Sequence, residues 1–355
     1  MPRDDDPTRS GRSSIPAAGV APLSSAQLRL VARPVGLPEP ECWSITTADV
    51  PALAEGQVLV AVAYLSVDPG LRGWISEGGS YVEPVPLGAV MRAFGVGRVV
   101  ASASNHIAVG DVVTGLLGVQ EYAVVDDGAV TVEQRTSSLP RLLGALGISG
   151  ITAYLALVDV ARLRPGATVV VSGAAGSVGS LAGQIARLHG CRVIGIAGGA
   201  RKCSWLTEDL GFDFAIDYTS QNIGEALDAA APDGVDVYFD NVGGEILDTV
   251  LTRLAVGATV VLSGTMSQWE RPDWPGLQNH RSLLVRRARM EGFLVFDHAA
   301  RYDAAKTALA QWLDSGELIA REDIVPGGVS AFPEALRGLF TGENTGKRVV
   351  EGAGG

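Results

Sequence analysis

The sequence predicts a two-part α/β chain: a β-rich, barrel-like part joined to a doubly wound parallel sheet. Three observations carry this expectation. The chain has 355 residues, too many for one domain of roughly 150. From Gln27 to about Leu139 the text is a series of short alternating apolar runs with Gly and Pro between them, the texture of a small barrel. After about residue 145, apolar β runs alternate with stretches of helical spacing, which implies parallel strands joined by crossover helices.

The first 24 residues open with Asp4-Asp5-Asp6 and carry Pro2, Pro7, Pro16 and Pro22. They read as a disordered tail and lack the basic start and apolar run of a secretory signal. Gln57–Tyr64, Gly95–Val100, a turn at Val109–Val113 and Gln120–Val125 are the strands expected next. Leu142 to Val158 is uncharged over 17 residues but holds Gly144, Gly147 and Gly150. A membrane span needs about 20 predominantly apolar residues, so this reads as buried turns and a core helix. Ala167–Ser172 is a buried strand, and Val178, Leu181, Ile185 and Leu188 then recur at helical spacing. Further strands are expected at Cys191–Ile196, Asp213–Tyr218, Val235–Asp240, Ala258–Ser263 and Arg289–Phe296. Past Gly316, pieces such as Lys347–Glu351 are placed to rejoin the first part. The expected division is residues 25–144 with 317–355, and 145–316.

The balance of 28 Lys and Arg against 39 Asp and Glu leaves a net charge of −11. That excludes the basic footprint of a general nucleic-acid binder and suits a soluble protein acting on small molecules, with no membrane partner. Cys42, Cys191 and Cys203 are too few for a disulfide framework or a four-cysteine zinc site. A reducing cytoplasm is the simplest setting.

The sharpest motif is Val169-Val170-Val171-Ser172-Gly173-Ala174-Ala175-Gly176-Ser177-Val178-Gly179. It ends a strand and opens a helix, as a dinucleotide-binding loop does. Gly176 lets backbone approach a pyrophosphate, Gly179 lets helix pack on strand, and the N–H groups of Ser177 and Val178 face the phosphates. At the end of the next strand an NAD site usually carries an acid for the ribose 2′-hydroxyl. Here the text is Ala197-Gly198-Gly199-Ala200-Arg201-Lys202. Two cations and no acid favour a 2′-phosphate, hence NADP over NAD.

His106, His189, His280 and His298 are scattered, with no Gly-His-Glu or His-Glu-x-x-His setting, so no metal is expected. No Gly-x-Ser-x-Gly elbow is present either.

Beyond the loop, the chain carries Tyr64-Leu65-Ser66-Val67-Asp68-Pro69 with Leu71-Arg72-Gly73, then Ser80-Tyr81-Val82 and Met91-Arg92. It also carries Asp236 to Gly244, Arg289-Met290-Glu291-Gly292-Phe293, and Gly342-Glu343-Asn344-Thr345-Gly346-Lys347. In these stretches it resembles the zinc-free branch of the medium-chain dehydrogenase/reductase superfamily: prostaglandin reductases, leukotriene B4 dehydrogenases and alkenal double-bond reductases. The likeness runs from about Leu30 to Val350. It implies a GroES-like catalytic domain interrupted by a Rossmann domain, NADPH as cofactor, and hydride transfer to the β-carbon of an α,β-unsaturated carbonyl. By motif, Gly176 to Gly179 would hold the pyrophosphate. Lys202 and Tyr218 would meet the adenosine phosphate end. Asn241, the Ser263-Gly264-Thr265-Met266-Ser267-Gln268-Trp269 loop, Phe293, Leu294, Val295 and Asn344 would line the nicotinamide end.

Two departures from the family stand out. Where it usually reads Asp-Pro-Tyr-Met-Arg, this chain has Asp68-Pro69-Gly70-Leu71-Arg72, an opening expected to leave room for a bulkier substrate. Trp269 stands where the family usually has tyrosine; an indole donates one N–H but relays no phenolic proton. Candidate donors to the enolate oxygen are therefore Tyr64, Tyr81 and Trp269. Arg72 is a candidate to steer an acidic substrate, or a surface ion pair. Trp74, Met91 and Phe94 read as core before pocket wall. The expected activity is NADPH-dependent reduction of a conjugated C=C bond. The alternatives are NADP-dependent alcohol or carbonyl chemistry on the same fold, or a non-redox protein of cyclase-like or NADP-binding type. The edge strand expected at Arg289–Phe296 is apolar enough to need covering, which predicts a homodimer.

Overall fold

The computed structural model describes residues 23–77, 80–133, 138–269, 276–352 and 354, so most of the expected disordered tail lies outside the described residues. Ser24, counted in that tail, already opens a strand. Strand β1 (Ser24–Leu30) pairs antiparallel with β2 (Trp43–Asp49). A second sheet is built on β3 (Gln57–Ser66), β4 (Gly95–Ser102), β5 (Val112–Gly115), β6 (Tyr122–Asp126) and β7 (Val130–Val132). Its apolar residues point into one core with Leu28, Leu30, Val58, Val60, Val62, Met91 and Val113 fully buried. One close approach requires glycine here: a Cβ on Gly97 would collide with the Ala61 carbonyl of β3 across the sheet.

The second unit is a parallel sheet of β8 (Thr168–Ser172), β9 (Arg192–Ala197), β10 (Phe214–Asp217), β11 (Val235–Asp240), β12 (Leu254–Leu262) and β13 (Arg289–Gly292). Its order is β10-β9-β8-β11-β12-β13, every pair parallel. That is the doubly wound order with the crevice beyond β8 and β11. The central strands β8 and β9 are nearly continuous apolar runs because helices cover both faces. Core packing lies on each side, around Val169, Val171 and Phe239 on one and Val170, Ile194 and Tyr238 on the other.

Strands β14 (Glu322–Val325) and β15 (Lys347–Glu351) bring the chain back, β15 pairing antiparallel with β3. The 142–158 stretch is buried as expected, holding helix Ile148–Leu155 and a following wide-turn helix. Among the described residues no helix is long and apolar enough to cross a membrane.

The last parallel strand differs from expectation. It ends at Gly292, and its residues are mostly exposed. Phe293 and Val295 are buried in the nucleotide-side core instead. The apolar residues leave the sheet and turn inward, because interior burial there outweighs extending an unpaired edge.

Candidate active site

Four segments converge at the crevice. The first is the glycine loop. Helix Ser177–Leu188 starts at Gly176 with no side chain capping it, so its first N–H groups are free for an anion. A Cβ on Gly179 would strike the Gly173 carbonyl oxygen. Ser177 Oγ is buried with no hydrogen-bond partner among the described residues. An orphaned hydroxyl beside free N–H groups fits a pyrophosphate. From across the crevice, Gly346 N donates to the Ala175 carbonyl at 2.8 Å, tying the returning segment to the loop.

The second is the turn after β9. Gly199 N donates to Asp217 Oδ1 at 2.8 Å, and the hydroxyl and N–H of Thr219 with Gly199 hold that carboxyl down to about 2. The nearby acid is thus consumed by its own turn. Lys202 Nζ donates to the Gly342 carbonyl at 2.7 Å. Its amine sits below the ordinary lysine range, mainly through burial and then through Arg201 and Arg348. Tyr218 is half exposed, and its ring occupies the space a side chain on Gly198 would need. These residues fit a 2′-phosphate and an adenine edge. Lys202→Ala is expected to weaken NADPH much more than NADH, since a charge-assisted contact contributes about 1.5–3 kcal/mol. Titration of both nucleotides checks this, and equal losses would mean that Lys202 does not read the phosphate.

The third is the turn after β11, organised by Asp240, which is fully buried. Its Oδ1 accepts from Ser172 Oγ at 2.8 Å, Tyr238 Oη at 2.7 Å, Val242 N at 3.1 Å and Gly243 N at 3.0 Å. Burial raises its carboxyl, while these donors oppose that. Asn241 Nδ2 donates to the Ser172 carbonyl at 2.7 Å. Ser263 N and Gly264 N both donate to the Asp240 carbonyl, at 2.8 and 3.1 Å, and Ser267 Oγ donates to the Val242 carbonyl at 2.8 Å. Met266 packs against the core of the catalytic side. Trp269 ends the short helix Met266–Trp269; its side chain lies outside the described residues.

The fourth is an aromatic row that crosses the crevice. Tyr81 and Phe296 have ring centroids 6.1 Å apart, Phe296 and Phe94 6.2 Å, and Phe94 and Trp74 6.2 Å. Phe296 follows directly on Phe293–Val295 and was not singled out from the sequence; its place after an apolar strand end was the only signal. Gly70 does not open the pocket. An ideal Cβ there would lie 3.0 Å from Tyr81 Oη, so the tyrosine hydroxyl already takes that space. Burial pushes the Tyr81 phenol up, with Trp74 lowering it and Asp68 raising it. Trp74 is 4% exposed, and its Nε1 has no hydrogen-bond partner among the described residues. Such an orphan costs about 1–3 kcal/mol.

The remaining candidates lie on other segments. Tyr64 lies on β3 and packs against the small cluster of Val96, Leu142, Leu143 and Val349. Asn344 Nδ2 donates to the Gly346 carbonyl at 3.0 Å, on the segment that meets the glycine loop. Arg72 neither steers a substrate nor forms a surface pair: it is buried, donating to the Gly36 carbonyl at 2.7 Å, the Pro34 carbonyl at 3.1 Å and Ser76 Oγ. Met91 is core as expected. Lys347 is buried with its Nζ 2.5 Å from Asp68 Oδ1, which anchors the turn that carries Gly70. No cluster of His, Cys, Asp and Glu able to hold a metal is present among the described residues.

A barrel-like unit, a doubly wound sheet and a dinucleotide crevice between them define a two-domain dehydrogenase or reductase. Residues 26–132 match the N-terminal domain of oxidoreductase, and 177–312 match the domain described as zinc-binding dehydrogenase. The chain is 38% identical to NADPH-dependent curcumin reductase of Escherichia coli, over 92% of this chain and 96% of that one. It is 36% identical to prostaglandin reductase 1 of Rattus norvegicus, over 89% and 95%. The crystal structure of CurA from Vibrio vulnificus in complex with NADPH superposes with a TM-score of 0.88 at 39% identity, covering 92% of this chain and 99% of that one. The chain therefore belongs to the zinc-independent branch of the medium-chain dehydrogenase/reductase superfamily, with the curcumin, alkenal and prostaglandin reductases.

Proposed function

We propose that this protein is an NADPH-dependent reductase of the C=C bond in a conjugated carbonyl compound. The observation that carries it is a tyrosine from the catalytic side, Tyr81, whose ring meets Phe296 just past the Phe293–Val295 segment of the nucleotide side. When bound, NADPH supplies the hydride. Gly176, Ser177, Val178 and Gly179 bind the pyrophosphate, with Lys202 and Tyr218 at the adenosine end. Asn241, Ser263, Gly264, Met266, Trp269, Phe293, Leu294, Val295 and Asn344 bound the nicotinamide end. The row of Phe94, Phe296 and Tyr81 gives the reacting carbons an aromatic wall, and Tyr81 Oη supplies the proton that completes the reduction. Tyr64, inside its own apolar cluster, is assigned to structure. Residues 25–144 with 317–355 form the catalytic domain, and 145–316 the nucleotide domain.

Steady-state oxidation of NADPH against a panel of enones and enals, with product analysis, tests this. Saturated carbonyl products are expected. An allylic alcohol would mean carbonyl reduction, and no oxidation with any conjugated acceptor would mean a non-redox role.

The reading includes a homodimer in the cytoplasm. Its basis is the free edge of β13 beside Leu284, 78% exposed, and Val285, 52% exposed, an edge that asks for cover. Light scattering at micromolar concentration should return twice the chain mass; a monomer would remove this part.

A further inference from the structure

The returning segment is fastened to the nucleotide unit before it enters β15. Gln184 is buried on the helix Ser177–Leu188. Its Nε2 donates to the Ile319 carbonyl at 2.9 Å, and its Oε1 accepts from Ile319 N at 2.8 Å. Gly346 N then meets the Ala175 carbonyl of the glycine loop itself. One residue later, Lys347 reaches the other way. Its stem runs past Gly144, where an ideal Cβ would lie 3.2 Å from both Lys347 Cβ and Cγ. Its Nζ donates to the Val67 carbonyl at 3.3 Å and to Asp68 Oδ1 at 2.5 Å. Asp68 Oδ2 accepts from Ser66 Oγ at 2.5 Å, so both carboxylate oxygens are engaged. The pairing of β15 with β3 stops at Val349 and Ser66, and past it Val67 N still donates to the Arg348 carbonyl at 3.2 Å. Beyond that point the turn leaves the sheet. Leu71, Arg72 and Gly73 donate from their N–H groups to the Asp68, Pro69 and Gly70 carbonyls, which opens the short helix Leu71–Trp74.

Lys347 is only 3% exposed, and an ammonium is costly to bury where an apolar side chain would fill the same space. What the charge adds is direction: a charge-assisted grip on a turn that the strand ladder no longer holds. We propose that Lys347 is a positioning residue for the reduction, setting the turn Asp68–Gly70, and with it Tyr81, in register with the glycine loop that binds the dinucleotide. This rests on the reductase reading above. The loop and the turn belong to different units, and Lys347 follows directly on the residue that touches the loop. Tyr81 Oη lies 3.0 Å from the ideal Cβ position of Gly70, so a shift of the turn moves the boundary of the space the hydroxyl occupies. Hydride donor and acceptor must meet within a fraction of an ångström, and a misplacement of about 1 Å costs about a hundredfold in rate. Lys347 acts through Asp68 and the turn, not through contact with the reacting carbons.

Lys347→Met keeps the length of the side chain and removes its charge. With an enone, kcat should fall about a hundredfold. The dissociation constant for NADPH, from titration of the nucleotide's fluorescence, should change less than about threefold, because Gly176–Gly179 are held by their own strand and helix. A merely structural lysine would lose stability, cofactor and turnover together. Hydrogen exchange supplies a readout without substrate. In the parent protein, NADPH should protect the Leu71–Gly73 amides as well as those of the glycine loop. In Lys347→Met the protection of the loop should remain and that of the turn should vanish. Lys347→Met combined with Asp68→Asn removes both charges and leaves no unpaired ion to disturb folding. It should behave like the single variant, since partners in one interaction are not additive. Turnover within about twofold of the parent protein in both variants would overturn the proposal, as would a loss of NADPH affinity as large as the loss of kcat. Protection of the turn by NADPH that survives in both variants, or is missing from the parent protein, would overturn the coupling. A parent protein inactive on every enone would instead overturn the reductase reading, while the exchange data still decide whether Lys347 couples turn to loop.

Discussion

Gly179→Val should abolish useful dinucleotide binding. The Cβ would enter the space of the Gly173 carbonyl oxygen and come within 2.9 Å of Ala174 Cα. Both atoms are backbone of the loop that cradles the phosphates, so neither can rotate aside. The helix must shift away from β8, carrying its free N–H groups out of register with the anion. Losing the charge-assisted contacts should cost about 3 kcal/mol or more, at least about a hundredfold in affinity. Overpacking adds about 1–3 kcal/mol of lost stability. The check is a thermal melt with and without NADPH, where the rise in Tm seen for the parent protein should vanish. A variant still stabilised by NADPH to the parental extent would refute the assignment of this loop.

Asp240→Ala should be the most destabilising single truncation near the site. It would leave the hydroxyls of Ser172 and Tyr238 and the N–H groups of Val242 and Gly243 without their acceptor. Each orphaned buried donor costs about 1–3 kcal/mol, with part recovered if water enters, so a loss on the order of 4 kcal/mol is expected. Asp240→Asn, nearly equal in volume, turns one acceptor into a donor facing donors and should fall between. Urea denaturation measures the loss directly. The same variants should loosen the Asn241 turn first, because Val242 N and Gly243 N hang on the Asp240 carboxylate. The Ser263–Trp269 loop should loosen less, because Ser263 N and Gly264 N hang on the Asp240 main-chain carbonyl, which both variants keep. Unfolding within about 0.5 kcal/mol of the parent protein would show that Asp240 does not hold this turn.

Much of the molecule was legible from local patterns. Strand positions, the parallel sheet and the glycine loop follow from period, turn residues and a short motif, since these reflect interactions between residues near in sequence. The missing acid and the pair Arg201 and Lys202 were readable for the same reason. The sequence also argued against a general nucleic-acid binder through its charge of −11.

Other features depended on contacts across long separations, which no local pattern encodes. Gly70 read as an opening, yet Tyr81 from eleven residues on fills it. Arg72 read as a surface cation, but carbonyls from the Pro34–Gly36 turn bury and satisfy it. Phe293 to Phe296 read as the end of an edge strand; tertiary packing drew Phe293 and Val295 into the core and sent Phe296 across to Tyr81. Lys202 read as a contact for the adenosine phosphate end, and the fold adds a partner no local pattern encodes, the Gly342 carbonyl 140 residues away. The physical reason is common to all four. An apolar or charged side chain states a need for burial or for a partner, and any suitable surface can meet it. Only the folded arrangement of both units decides which surface does.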